Sequence, residues 1–286
     1  MGMRTRSAIR IRPKSRYASD SGPHDLAVFT AIDGTLLDAA TFDAGANRDV
    51  IARLVESGAP VVPVSVMTLA ELIPVASELG LKDPMVVEGG GAIARWTGID
   101  WDVEPCGPPV ETLRDIIRDI ETRSGASLLL YSALSDDDAA RLSGRTGGHL
   151  DASRRRQFSE PFLIERGDLQ SVRRAAAEVG FSIRRGRRFL HLSRECDEGE
   201  AFSRLREELQ CALTVGLGGA SVDAEFLIRA DIPIIIPGPD GRADAELLLR
   251  IPGARVAHAA APAGWAAAAE EVLHVLHAKR SRARGA

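Results

Sequence analysis

Aromatic side chains are scarce in this chain, 5% of 286 residues, so whatever core it builds is packed mainly from Ala, Leu, Val and Ile. Its three cysteines, Cys106, Cys196 and Cys211, are odd in number and form no Cys-x-x-Cys pair. That fits a reducing, cytoplasmic setting and argues against a disulfide framework or a zinc site. No apolar run reaches the roughly 20 residues of a membrane-crossing helix, and the first residues lack the apolar stretch of a secretory leader. No membrane association is therefore expected. Nor is there an excess of one charge: the formal net charge of −4 argues against nucleic acid as a partner. His149, His191, His258, His274 and His277 show no metal-ligand spacing.

What is present is the composition of a globular protein, 45% hydrophobic and 27% charged. Basic residues gather at both ends, from Arg4 to Arg16 and from Lys279 to Arg284. Residues 1–24 and 279–286 are expected to be disordered basic tails, with tethering to an acidic partner as the alternative. Between them, four apolar runs each end in small or polar residues and are followed by a helical pattern. They are "LAVFTA" (26–31), "PVVPVS" (60–65), "ALTVGLG" (212–218) and "IPIIIP" (232–237). Runs apolar at every position read as strands buried on both faces, and the intervening 47–58, 68–80, 197–210 and 220–229 read as helices. The fold class is α/β, a doubly wound, Rossmann-like parallel sheet, with function expected at the carboxyl ends of the strands.

Between residues 103 and 186 the pattern changes to α+β. "PPVETLRDIIRDIETRSG" is an amphipathic helix ended by Gly125, and "ASLLLYSAL" reads as a strand. "DLQSVRRAAAEVG" is a second helix, and "FSIRR" a second strand. This segment is expected to be an inserted cap over a core formed by 25–102 and 187–278, the core resuming at "RFLHLS".

In order along the chain stand "FTAIDGTLLD" (29–38), "EGGGAI" (88–93), "RQFSEPF" (156–162), "RFLHLSRECDEG" (188–199), "GLGGASVDAEFL" (216–227) and "APAGWAAA" (261–268). Together they make the chain resemble the haloacid dehalogenase superfamily, and within it the mannosyl-3-phosphoglycerate phosphatase-like group, over about residues 27–277. The resemblance implies an Asp nucleophile, an Asp general acid and base two residues later, a Ser or Thr after the next strand, a Lys clamp, and Mg²⁺ held by acidic residues. Here the nucleophile's position is Ala31, followed by Asp33 and Thr35; Ser65 is retained. The clamp's position is Glu198, and the metal-binding Asp's is Gly219, with Val222 and Asp223 after it. Alanine has no oxygen to form an aspartyl-phosphate, and Mg²⁺ usually needs at least one or two carboxylates. No catalytic residue is therefore expected to work and no metal or other cofactor is expected; Asp33, Thr35, Ser65 and Asp223 are vestiges.

Asp33 is expected to shape the turn after its strand, Asp223 to cap a helix, and "EGGGAI" to form a tight turn. A convergence of Asp33, Glu198 and Asp223 on a cation is the weaker alternative. His191, on the opposite face of its strand from Leu190 and Leu192, is expected to be structural, and Trp265 to anchor the last helix. Ser65, Gln157, Ser159 and Arg188 are the candidate ligand contacts. The expected function is that of a pseudo-phosphatase binding a phosphorylated sugar or glycerate, or a protein partner, an active relative or another copy of itself included. The alternative is an active sugar-phosphate phosphatase or other hydrolase using a rearranged acidic site.

Overall fold

The computed structural model describes residues 23–194 and 198–284, the last helix beyond residue 277 by its backbone alone. The N-terminal arginines, the C-terminal basic side chains, Cys196 and Asp197 lie outside the described residues or side chains.

The four apolar runs form strands Ala27–Thr30, Val61–Pro63, Thr214–Gly218 and Ile232–Ile235. With a short edge strand, Arg255–Val256, they make one parallel sheet in the order 255–256, 232–235, 214–218, 27–30, 61–63. Helices cover both faces, which is why almost every position in the central strands is apolar. On one face Val28 and Leu217 pack with Ile51, Leu54 and Trp265. On the other Phe29 meets Phe202, ring centroids 4.3 Å apart, beside Leu205 and Phe226. Each such fully buried side chain contributes roughly 1.5–3 kcal/mol. Trp265 is the expected anchor: it is fully buried and its Nε1 donates to Thr30 Oγ1 at 2.8 Å.

Local signals set the helix ends. Leu69–Leu79 begins with a Thr68–Glu71 capping box and stops at Gly80, φ +67°. Val110–Ser124 stops at Gly125 as expected. The segment expected as a helix over 220–229 opens instead with a 3₁₀ turn, Ser221–Asp223, before Ala224–Arg229. "EGGGAI" is a turn, Glu88–Gly90, between the antiparallel strands Met85–Val87 and Ala92–Trp96, with Trp101–Pro105 alongside.

The inserted segment forms its own antiparallel sheet, Ser127–Leu130, Phe162–Arg166, Leu190–Ser193 and Ser182–Arg185, in that order. This corrects one boundary. "RFLHLS" does not resume the core; Leu190–Ser193 pairs antiparallel with Ser182–Arg185. Only residues 186–189 separate the two strands, a hairpin connection, whereas a return to a parallel core strand needs a crossover of about a dozen residues. The chain re-enters the core after this strand, at the Glu198–Glu208 helix. Among the described residues no helix is long and apolar enough to cross a membrane.

Candidate functional site

The carboxyl ends of Ala27–Thr30, Val61–Pro63 and Thr214–Gly218 face the cap across a single cleft. Its floor includes Ala31, Asp33, Ser65 and Asp223; its roof and hinge include Tyr131, Arg145, Arg156, Arg187, Arg188 and His191. The enclosed volume is about 60 Å³. Pockets that hold small ligands run to roughly 300–1,000 Å³, so the cleft as it stands is smaller than such a pocket.

The floor has little reactive chemistry. Ala31 donates its N–H to Leu217 O at 2.8 Å, and its methyl packs in the apolar cluster of Phe29 and Val64. Ser65 Oγ accepts the Met67 N–H at 3.1 Å, which leaves its own proton to donate into the cleft. Asp223 takes the expected N-terminal position ahead of Ala224–Arg229, but its side chain caps the preceding 3₁₀ turn rather than that helix. Its Oδ2 reaches back to the N–H groups of Gly219 (2.7 Å) and Ala220 (2.9 Å), and burial pushes its pKa up to about 6 against those bonds. The carboxylate is a brace for the loop after the strand.

Asp33 is turned toward the roof. Its Oδ2 accepts from Arg188 Nη1 at 2.8 Å and lies 3.8 Å from Arg145 Nη2, while its buried Oδ1 has no hydrogen-bond partner. The Thr35 hydroxyl is likewise buried without one. Arg145 reaches across from the cap to Glu71 Oε1 at 2.5 Å, and Arg156 donates to Val66 O and Ser159 Oγ. The Phe42 ring lies beneath both Arg145 (5.3 Å) and Arg188 (5.9 Å), held there by a backbone φ of +58°, a conformation disfavoured for a bulky residue. His191 lines the cleft; burial, with Arg156 nearby, pushes its imidazole down to about 3, so it is neutral at physiological pH.

Arg187 lies against the turn that follows the central strand. Its Nε donates to Asp33 O at 3.2 Å and its Nη2 to Gly34 O at 2.7 Å. A Cβ built on Gly219 would lie 2.6 Å from Nη2, and one on Gly34 only 2.5 Å from Nε, so the guanidinium occupies space that both glycines leave open. The residues present do not fit a Mg²⁺ ion here. Ala31 and Gly219 offer no side-chain oxygen, Asp223 Oδ2 is held by two N–H groups, and a guanidinium lies against the Asp33 and Gly34 carbonyls. Among the described residues no group of three or more His, Cys, Asp or Glu is placed to hold a metal.

Of the expected ligand contacts, Ser65 and Arg188 line the cleft; Gln157 and Ser159 do not. The Glu88 carboxylate gathers the Gln157 and Phe158 N–H groups (3.0 and 3.1 Å) and the Ser159 hydroxyl (2.7 Å), fastening this loop to the core. Glu198, expected beside a bound phosphate, instead lines a smaller adjoining pocket with Glu88 and Arg184. Among the described residues, Asp33, Glu198 and Asp223 do not form a group that could hold a metal. Arg145, Tyr131 and Phe42 carry no sequence signal for the cleft. Glu71 does have one, because Thr-x-x-Glu before an apolar run marks a capping box.

No family model matches the chain. It is 28% identical over 258 residues to the glucosyl-3-phosphoglycerate/mannosyl-3-phosphoglycerate phosphatase of Persephonella marina, covering 84% of this chain and 94% of that protein. The protein of the same description from Methanococcoides burtonii is 25% identical over 259 residues, 83% of this chain and 93% of its own length. A solved phosphatase of the haloalkanoate (HAD) enzyme superfamily from Bacteroides thetaiotaomicron superposes with a TM-score of 0.66 at 14% identity, over 88% of this chain and 98% of its own.

Proposed function

The chain belongs to the haloacid dehalogenase superfamily, alongside its mannosyl-3-phosphoglycerate phosphatase-like members, and from that premise we propose that it is a pseudo-phosphatase. It binds a phosphorylated sugar or glycerate between core and cap and does not hydrolyse it. The observation that carries this reading is the pairing of an inert floor with a cationic roof: a buried methyl at Ala31 beneath Arg145, Arg156, Arg187 and Arg188. Guanidiniums recognise phosphate and carboxylate oxygens by paired hydrogen bonds, and the Ser65 hydroxyl adds a donor from the floor. The unpartnered Asp33 Oδ1 offers an acceptor for a ligand hydroxyl, which suits a polyol rather than a bare anion.

A protein partner or second copy of this chain would read the closed cap. The unpaired Cys106 and Cys211 are consistent with a cytoplasmic setting. A second reading rests on Asp33, an acid facing the cleft that would serve a hydrolase with a rearranged site.

The test is a panel of sugar phosphates and phosphoglycerates with two readouts, phosphate release in the presence of Mg²⁺ and the shift in thermal midpoint. Stabilisation without turnover is expected. Enzyme-like turnover that disappears in Asp33→Ala would replace this reading with the second.

A further inference from the structure

We propose that Arg187 is the resident cation of this cleft: its guanidinium stands in for the divalent ion that the family resemblance implies, so the site takes an oxyanion without metal. The inference deepens the pseudo-phosphatase reading and rests on it only for the identity of the anion.

Three observations converge on Arg187. First, it is held in place by fixed backbone acceptors, the carbonyls of Asp33 and Gly34, on the turn that follows the central strand. A guanidinium bonded to two carbonyls keeps its full charge, because neither acceptor is anionic. Among the described residues no carboxylate lies within salt-bridge distance of it, unlike Arg188, which is paired with Asp33 Oδ2; the buried Asp223 carboxylate acts on it only from further away. Second, its remaining nitrogen, Nη1, has no hydrogen bond within the described chain although the residue lines the cleft. Third, the room it occupies exists only because residues 34 and 219 are glycines. With an aspartate at 219, its Cβ would come within 2.6 Å of Nη2 and 3.1 Å of the unpartnered Thr35 Oγ1. The same Cβ would lie 2.8 Å from the Ile236 backbone carbonyl, so Arg187 and this carbonyl together leave position 219 no room for a side chain. A carboxylate at 219 and the present Arg187 cannot share this space without one of them moving.

A consequence follows for any attempt to rebuild the phosphatase site. Ala31→Asp with Gly219→Asp supplies two carboxylates, yet Arg187 still fills the space between Gly34 and Gly219. Metal binding is expected to need Arg187→Ala in addition.

The experiment uses the full chain with Mg²⁺ alone and inorganic phosphate as probes. Mg²⁺ is titrated calorimetrically into the wild type, and the thermal shift caused by phosphate is measured in EDTA and in excess Mg²⁺. No saturable Mg²⁺ binding and equal phosphate shifts in both conditions are expected. Arg187→Met, which keeps much of the side-chain volume, is expected to weaken phosphate binding by about tenfold or more, and Arg187→Lys to recover part of that loss. Saturable Mg²⁺ binding by the wild type, or a phosphate shift that requires Mg²⁺, would overturn the proposal, and so would an Arg187→Met variant that binds phosphate as well as the wild type. Should Arg187→Met fail to fold, the wild-type Mg²⁺ titration still decides. A wild type insensitive to phosphate in every condition sinks the anion-binding reading instead, and the Mg²⁺ titration separately decides whether the metal's place is taken.

Discussion

The floor and the roof of the cleft are built on opposite plans. On the floor the side chains are used up by the core itself: Ala31 in an apolar cluster, Ser65 in a turn, Asp223 in a loop brace. On the roof and hinge, long cationic side chains project into the gap, and the carboxylates that meet them, Asp33 and Glu71, come from the floor's side. A catalytic cleft concentrates activated groups below the bound phosphate. This one places guanidiniums above a floor whose nucleophile position is an alanine, the contrast on which the proposed function rests. In the proposed function these ion pairs would act as a latch, holding the arginines until a ligand oxyanion competes for them.

Separating floor from roof should have the largest effect. Glu71 is almost fully buried and meets Arg145 at 2.5 Å while also accepting the Thr68 N–H. Removing one partner of such a pair typically costs about 3–5 kcal/mol, so Glu71→Ala should lower the urea midpoint sharply, and Glu71→Gln, which keeps the N–H acceptor, by less. A near-neutral Glu71→Ala would mean that the cap is not held by this latch.

The roof's role in recognition is sharpened by comparing two arginines. Arg145→Met is expected to weaken binding of a phosphorylated glycerate by roughly tenfold, whereas Arg155→Met, at an exposed position away from the cleft, should leave it unchanged in the same titration. Equal losses in both would reduce the effect to general surface charge.

The smallest effect concerns pH. His191 is held down to about 3 from 6.5, so the unfolded chain binds a proton that the folded chain refuses between those values. Stability is then fully present above about 6.5 and declines as the pH falls toward 3. Thermal midpoints measured across that window should fall less steeply in His191→Gln than in the wild type. Parallel curves would show that the imidazole is solvated.

Strands and helices of the core were legible because a parallel sheet covered on both faces needs apolar residues at every position, and four such runs stand out. Helix ends at Gly80 and Gly125 were legible for an equally local reason. The Leu190–Ser193 strand was not: its sequence resembles a core strand, and only the short connection from Ser182–Arg185 betrays its pairing. Ala31 and Gly219 could be set against the family's motif order from sequence alone, whereas nothing local reveals that Glu88, some 70 residues earlier, gathers Gln157 and Ser159. Arg145 and Phe42 escaped notice because an arginine after a short helix and a phenylalanine in a loop carry no periodicity.

What the sequence by itself determined is the list of groups the cleft does not have. A missing carboxylate is a fact about one position, and no packing can restore it. Where the positive charges go was decided by the tertiary structure, because an arginine's reach is long and its partners lie far away in the chain. Arg187 meets carbonyls more than 150 residues earlier, and only the folded chain brings its guanidinium into the space left open by Gly34 and Gly219.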